Sequence, residues 1–599
     1  MRWPNEARMF VHLHTRSWFS FLQGGSSPEA LVRRAHQLGQ SALALTDVGG
    51  VSGAVRFQQA CQRYGIRPLW GAEVRCEGFP LVLLARSRAG YAELCALLTQ
   101  LHASAADPPS VPLEAVQAHA AELFCLTGGR EGKLWAQVSR GAQDQAVAWL
   151  SALRQVFPAA LFVELVNGLQ PEDLRLAKHL DQMAGALGVP TVASNDVRFA
   201  VPEDYRRFDL LTCIRLGITL ATPHPARPRN GEACLKSADQ MCRLLPFPDA
   251  LRRTDQIASA CAVELVAGEV TPPAARLAAG QDPAEYLRQL CQEGLAHRFA
   301  PADQAAAQAQ LDKELDVIRD LRLEEFFLVV REVVAEARAR YIRCAGRGSA
   351  ANSIVAYLLG ITSVDPLQHD LLFERFLHRG RKGTPDIDVD FDSERRDEVI
   401  DWIESRFGTD HTAMTATLIT YRLRLALRDV TKAFGYPMKV VDQVSRVVPG
   451  HYEPRHVRHF RPELERVLPN APALELMLDM VEGLSQCPRH LGLHSGGMVL
   501  SQQPLCWFSP VQTSANGVKM VQFDKEDVEA LGLIKLDVLG LRMLAAISEA
   551  AELAERHYGH PVDVDALPLD DPQVYEFIRT GRTLGLFQIE SMGQMHLVA

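Results

Sequence analysis

Residues 385–391, PDIDVDF, leave few ways to fold. Side chains alternate between the two faces of a strand, so Asp386, Asp388 and Asp390 share one face and Ile387, Val389 and Phe391 share the other. The apolar face needs a core. The acidic face needs a cation, because closely spaced carboxylates repel unless one is neutralised. Hard oxygen ligands select Mg²⁺ or Mn²⁺. Two such ions about 3.5–4 Å apart stabilise the attacking and leaving oxygens of a phosphoryl displacement. A second strand-like run, GLIKLDVLG at 532–540, puts Lys535 and Asp537 on one face, with Ile534, Leu536 and Val538 on the other. Asp537 would complete the cage and Lys535 would face a phosphate. Taken alone, this second run reads more readily as an ordinary polar strand face.

Upstream of the acids, AGRGSAANS at 345–353 runs into a helix-like stretch, IVAYLLG. A glycine-rich turn at a helix start exposes backbone N–H groups to a phosphate. Gly348 and Ser349 are the natural contacts, and Arg347 adds a charge. The turn is not a P-loop, since GxxxxGK[ST] is absent, and a plain helix cap is the other reading. Next to the acids it completes a minimum kit for handling a nucleoside triphosphate.

The chain has 599 residues, enough for roughly three to five domains. Residues to about Val270 alternate strand-like runs (79–85, 123–127, 160–166, 189–196) with helical ones, which predicts an α/β layer or barrel. TPHPARPRNGEA at 222–233 reads as a long loop, and 267–283 as a linker. From Ala284 the chain reads as helical up to the glycine-rich turn, and a helix is expected after the acids. Residues 412–490 are Arg-rich and mostly helical by pattern, strands return at 494–501 and 532–540, and the end is helical from Leu541. Twelve scattered cysteines without a CxxC pair argue against zinc ribbons and for buried thiols in a reducing compartment. A net charge of -9 speaks against a small basic nucleic-acid binder but not against a large enzyme with a local basic channel. No apolar run is long enough to span a bilayer, and the N-terminus lacks an apolar signal region, so a cytoplasmic protein is expected.

GRGSAANSIVAYLLGITSVDPLQHDLLFERFL, then PDIDVDF, then GLIKLDVLGLR, resembles the palm of the bacterial C-family DNA polymerases, the polymerase III alpha subunit and its error-prone paralogue. FVHLHTRSWFSFLQG and ALTDVGG resemble the N-terminal PHP domain of that family, so the likeness runs through the whole chain. CPRHLGLHSGGMVLS and TATLITYRLRLALRDVTKAFGYP are more similar to the error-prone type. The replicative alpha subunit is the alternative.

The resemblance implies a multidomain α/β and α+β protein. It would comprise a PHP (β/α)-barrel-like domain (1–270), a polymerase-beta-like nucleotidyltransferase palm (271–415 and 491–545), a helical thumb (416–490) and the start of helical fingers (546–599). Carried over by motif, Asp386, Asp388 and Asp537 would be catalytic ligands of two Mg²⁺ ions, with no organic cofactor. Asp390 stays outside that set, because related polymerases do not all keep an acid there. Gly348 and Ser349 would bind the triphosphate, with Arg347, Arg375 and Lys535 as further substrate contacts. Arg422, Arg424 and Arg428 would grip duplex phosphates, or simply form a solvated helix face. Primer–template DNA and deoxynucleoside triphosphates are the implied partners, with the sliding clamp and mutagenesis accessory proteins engaging regions partly outside this chain.

Two departures limit what carries over. The PHP motifs keep His12, His14, Asp47, Glu73 and Asp196. Val48 stands where a TDH-type motif has His, Arg198 stands where a DxH motif has it, and ELVNG lacks the histidine that often follows its Glu. Losing imidazoles weakens transition-metal sites, so a structural PHP domain without proofreading or pyrophosphatase activity is expected. The chain also ends with GLFQIESMGQMHLVA, which resembles the beginning of the fingers. It is therefore expected to polymerise poorly alone. The competing readings are a DNA-binding chain that does not polymerise and a PHP metal-dependent phosphoesterase.

Overall fold

The computed structural model describes residues 10–265, 273–380, 385, 387–468, 473–568 and 570–599. Asp386 and the first part of the expected linker lie outside these residues. The chain divides into two units. The first comprises Met1–Thr271, Asp410–His494 and Ser501–Ile534; the second comprises Pro272–Thr409, Ser495–Leu500 and Lys535–Ala599.

The first unit is built on a six-stranded sheet of β1 (Ala42–Val48), β2 (Arg67–Cys76), β3 (Phe79–Ala85), β4 (Leu123–Leu126), β5 (Leu161–Val166) and β6 (Thr191–Ser194), in that order across the sheet. β2 and β3, and β3 and β4, pair antiparallel; the other neighbours are parallel. The strand runs read from sequence fall here. They are almost continuously buried, as sheets with both faces covered must be. Residues 12–16 curl the sheet. His12 and Thr15 accept backbone hydrogen bonds from Ala44 and Thr46 of β1, while His14 accepts from Val197 and Arg16 donates to Val197, just beyond β6. Both edges of the sheet thus meet at one short segment. Val11, Leu13, Ala44, Leu69, Leu84 and Val192 share its core.

Seven more strands follow along the chain: β7 (Cys344–Arg347), β8 (Asp388–Asp392), β9 (Thr412–Thr420), β10 (Pro488–Leu500), β11 (Val511–Thr513), β12 (Lys519–Val521) and β13 (Ile534–Leu541). In the first unit, β11, β12, β9 and the start of β10 lie in that order. The segment expected to be mostly helical is therefore bracketed by strand. TAMTATLIT at its start is rich in β-branched residues, and β10 begins at Pro488 rather than at 494. Between them, the helices Leu423–Ala433, Met438–Arg446, Arg461–Val467 and Leu474–Glu482 close a core in which Leu427, Val430, Val444 and Leu478 meet Leu210 and Leu211 of the helix Tyr205–Leu216.

In the second unit, the end of β10, then β13, β8 and β7 form the sheet. The helices Pro283–Arg298, Gln304–Asp320 and Glu324–Ala339 precede it, and Arg396–Phe407 and Arg542–Tyr558 follow its strands. Asp282 caps the first of these through the backbone N–H of Glu285, with Pro283 at the first helical position. Ten of the twelve cysteines are buried thiols. Among the described residues no helix is long and apolar enough to cross a membrane.

Candidate active site

β8 and β13 run parallel, and Asp388 and Asp537 are register partners. Adjacent parallel strands lie about 4.8 Å apart with paired side chains on the same face, so two carboxylates stand side by side at one rung. Ile387, Val389 and Phe391 are fully buried, as are Ile534, Leu536 and Val538, so the alternation read from sequence is the one the sheet uses. Asp537 is itself only 7% exposed. Its Oδ2 accepts from Lys535 Nζ at 2.6 Å, while its Oδ1 has no hydrogen-bond partner among the described residues. A buried carboxylate oxygen left unpaired is costly, and a hard divalent cation is the partner its chemistry suits. The pair therefore fits a metal as far as it goes. Among the described residues it is not joined by a third ligating side chain, and the third expected acid, Asp386, lies outside them. Asp390 takes a different course. Its Oδ1 lies 3.1 Å from Arg347 Nε, and burial pushes its carboxyl up against the pull of that guanidinium.

The glycine-rich turn packs beside these acids. β7 pairs antiparallel with β8, Arg347 opposite Asp388. At Gly346 a Cβ would sit 2.5 Å from the Ile361 carbonyl oxygen, which accepts the Gly346 N–H at 2.9 Å, so only glycine allows that approach. Gly348 has φ of +67°, and a Cβ there would lie 3.3 Å from Asp388 Oδ2. The turn continues as a 3-10 segment, Gly348–Asn352, closed by Asn352 Nδ2 donating to the Ser349 carbonyl. Ser353 caps the short helix Ile354–Leu358 through the Ala356 N–H. Arg375 is exposed on the 3-10 turn Phe373–Arg375.

Of the arginines expected to meet duplex DNA, Arg428 is engaged by Asp442 at 2.6 Å and Arg424 donates to the Val448 carbonyl at 3.0 Å. Arg422 has only a loose pair, 3.9 Å from Glu453, and is exposed.

The PHP motif residues in the first unit divide into two groups. His14, Glu73 and Asp196 come together. His12 instead turns to the Lys236 backbone, and burial brings its imidazole down to about 4. Asp47 accepts from the Ser17 N–H and from the Ser17 and Ser20 hydroxyls at 2.6–2.8 Å. Burial raises its carboxyl in spite of them. His14 Nδ1 lies 2.8 Å from Glu164 Oε1, and Nε2 lies 3.3 Å from Glu73 Oε2 and 3.7 Å from Asp196 Oδ1. Burial disfavours its charge, but the Glu164 and Asp196 carboxylates and the hydrogen bonds to Glu164 and Glu73 outweigh burial and push it up to about 10.

The other cations in this centre are guanidiniums: Arg198 stands at the DxH position, and Arg16 was not among the residues singled out. Arg16 donates to Glu73 at 2.5 and 3.0 Å and to Glu131 at 2.9 Å. Arg198 bridges Asp196 at 2.7 Å and Glu131 at 3.0 Å. Glu164 Oε2 and Asp196 Oδ1 keep no hydrogen-bond partner among the described residues. Even so, Arg16 and Arg198 already hold Glu73 and Asp196, and His14 is the one motif imidazole brought to these carboxylates, a poor fit to a transition-metal centre.

The model of the bacterial DNA polymerase III alpha NTPase domain matches residues 285–540, that of the PHP domain residues 12–167, and that of the bacterial DNA polymerase III alpha subunit finger domain residues 543–599. The chain belongs to the family of the bacterial DNA polymerase III alpha subunit. Relatives named error-prone DNA polymerase are similar over nearly the whole of this chain. One from Symbiobacterium thermophilum is 38% identical over 98% of this chain and 56% of its own length. One from Methylococcus capsulatus is 39% identical over 98% and 55%, and one from Pseudomonas aeruginosa 38% over 100% and 57%. The chain spans about half the length of the curated relatives it matches.

Within this polymerase family chain, a residue that sequence reasoning passed over stands behind the glycine-rich turn. Glu314 is fully buried on the helix Gln304–Asp320 and accepts hydrogen bonds from residues 353–355. The signal was available: Ala307, Leu311, Leu315 and Ile318 form the buried stripe of that helix, and Glu314 sits inside it.

Proposed function

We propose that this chain supplies the catalytic carboxylates of a template-directed DNA polymerase of the error-prone type, serving DNA-damage tolerance and induced mutagenesis in the cytoplasm. The observation that carries this reading is the shared rung of Asp388 and Asp537, with the Gly348 turn against Asp388. Asp386, Asp388 and Asp537 would hold Mg²⁺, two ions in this reading, and the bound ions would supply acidification of the primer 3′-hydroxyl and charge neutralisation at the leaving pyrophosphate. The chain's own groups position the reactants. Backbone N–H groups at Gly348 and Ser349 meet the triphosphate, and Arg347, Arg375 and Lys535 add cationic contacts that orient it. Lys535 also steadies Asp537 by holding one of its oxygens. The PHP centre is structural, its carboxylates held by Arg16, Arg198 and His14. Primer–template DNA and deoxynucleoside triphosphates are the substrates, and the sliding clamp and mutagenesis accessory proteins are expected to act through the longer polymerase.

Primer extension with and without Mg²⁺, in the longest form of the polymerase that carries this chain, tests the reading beside a Mn²⁺ phosphoesterase assay. Mg²⁺-dependent extension supports it. Phosphoester turnover without extension contradicts it.

The exposed Arg422 gives a separate expectation. Arg422→Ala should reduce the slope of log affinity against log salt for primer–template DNA by about 0.9, the share of one phosphate contact on duplex. Arg428→Ala, whose charge is already taken by Asp442, should leave the slope unchanged. Fluorescence anisotropy between roughly 50 and 200 mM salt measures both. An unchanged slope for Arg422→Ala removes Arg422 from the DNA surface.

A further inference from the structure

We propose that Glu314 is a positioning residue for nucleotide binding: its buried carboxylate clamps the downstream end of the glycine-rich turn and so sets the backbone that meets the triphosphate. The proposal rests on the reading of Gly348 and Ser349 as triphosphate contacts.

The geometry is that of a carboxylate saturated with donors. Glu314 Oε1 accepts from the Ile354 N–H at 3.0 Å and from Gln310 Nε2 at 2.9 Å. Oε2 accepts from the Ser353 hydroxyl at 2.7 Å and from the Val355 N–H at 3.2 Å. Three of these four donors belong to three consecutive residues at the exit of the turn. At its entrance the turn is fixed independently by Gly346 on Ile361 and by β7 on β8. Gly348 and Ser349 lie between the two anchors. A helix of five residues at 354–358 has little stability of its own, so the exit anchor is the carboxylate.

Each oxygen accepts from a backbone N–H, which can only donate, and the ionised form accepts from all four donors as they stand. The NH2 of glutamine would face one of those backbone N–H groups, and a protonated carboxyl would need the Ser353 hydroxyl or the Gln310 amide to turn and accept. Burial pushes the Glu314 carboxyl up to about 7, against the pull of the Ile354, Gln310, Ser353 and Val355 hydrogen bonds. The titratable neighbour on the packed helix Pro283–Arg298 is Cys291, whose thiol burial raises, Glu314 adding to the effect, so that it stays neutral in this range. Arg288 and Arg331 act on that same thiol.

Two opposite signs follow. A carboxyl raised from 4.5 to about 7 binds its proton more tightly folded than unfolded. Global stability should therefore fall as pH rises through that window. The grip on the turn strengthens over the same window, because ionisation completes the four hydrogen bonds. A purely structural role would make nucleotide affinity follow stability, while a positioning role makes the two diverge.

Equilibrium binding of mant-dATP with Mg²⁺ to the chain between pH 6 and 8 tests this, with thermal unfolding measured alongside. The parent should bind more tightly as pH rises through about 7. Glu314→Gln should bind about 10-fold more weakly at pH 8, the loss expected when a buried hydrogen-bonded charge is replaced, with a flatter pH profile. The analogue's own phosphate titration is common to both proteins. In primer extension by the longer polymerase, the same change should raise KM for the nucleotide and leave kcat nearly unchanged. Should Glu314→Gln fail to fold, Gln310→Met removes one donor without touching the turn, and it should move the midpoint of the pH profile upward. Unchanged affinity in Glu314→Gln, an unchanged pH profile, or an unmoved midpoint in Gln310→Met overturns the proposal. Absence of mant-dATP binding by the parent overturns both the proposal and the reading of the turn, whereas parental binding with indifferent Glu314 variants overturns the proposal alone.

Discussion

Arg16→Ala should destabilise the first unit by about 3–5 kcal/mol, the cost of removing one partner from a buried ion-pair network. Arg16 is 1% exposed, and its loss would leave Glu73 buried with its strongest counter-charge gone and Glu131 held by Arg198 alone. The exposed pair of Arg175 and Glu172 gives the contrast: Arg175→Ala should change stability by less than about 0.5 kcal/mol. The pH dependence has a definite sign. Burial opposes ionisation of Asp196, but Arg198, His14 and Arg16 bring its carboxyl down to about 2, so its contribution is present above the usual value of 3.8 and lost as pH falls through about 2. His14, raised to about 10, contributes fully below 6.5 and loses its contribution as pH rises through about 10. The network should thus be strongest between about pH 4 and 6.5, and His14→Gln should flatten the alkaline limb. Thermal unfolding across pH checks both statements. Loss of less than about 1 kcal/mol in Arg16→Ala, or stoichiometric Zn or Mn retained in protein carrying both Asp388→Ala and Asp537→Ala, would contradict an arginine-held centre.

The difference between that centre and the acidic strand pair shows what sequence makes legible. PDIDVDF and GLIKLDVLG announce themselves because a strand's period of two is local. Each run sorts its own side chains, and only the pairing of Asp388 with Asp537 required the structure. The strands at 79–85 and 161–166 were readable as short apolar runs, which is also a local signal. Arg16 finds Glu73 and Glu131 at separations of 57 and 115 residues, and no local pattern marks such partners. Sequence indicated the loss of imidazoles at the PHP motifs, with Arg198 in place of one, but not that Arg16 and Arg198 face the carboxylates. Thr412–Thr420 was absorbed into a helical section because its strand signal is short and abuts the strongly amphipathic helix Leu423–Ala433. Glu314 was legible in principle as a charge within an apolar helical stripe, but what it holds lies about 40 residues away.

Asp388→Ala should lower the rate of Mg²⁺-dependent nucleotide incorporation by about 10³-fold, taking the loss of a metal-holding carboxylate as about 4 kcal/mol of transition-state stabilisation. Asp537→Ala should act in the same direction. It removes a buried carboxylate whose Oδ1 has no hydrogen-bond partner among the described residues, and it frees Lys535. Asp390→Asn should have a much smaller effect, since Arg347 already neutralises that group. These effects concern the rate, with DNA affinity largely retained, because Arg422 and its surroundings are untouched.

Binding of Mn²⁺, followed by electron paramagnetic resonance with Mg²⁺ as competitor, tests the acidic pair most directly. The parent chain should bind Mn²⁺ in a form that Mg²⁺ displaces, and Asp388→Ala and Asp537→Ala should each weaken that binding at least about 10-fold. Binding that persists unchanged in both variants would place the metal elsewhere and contradict the assignment of the site.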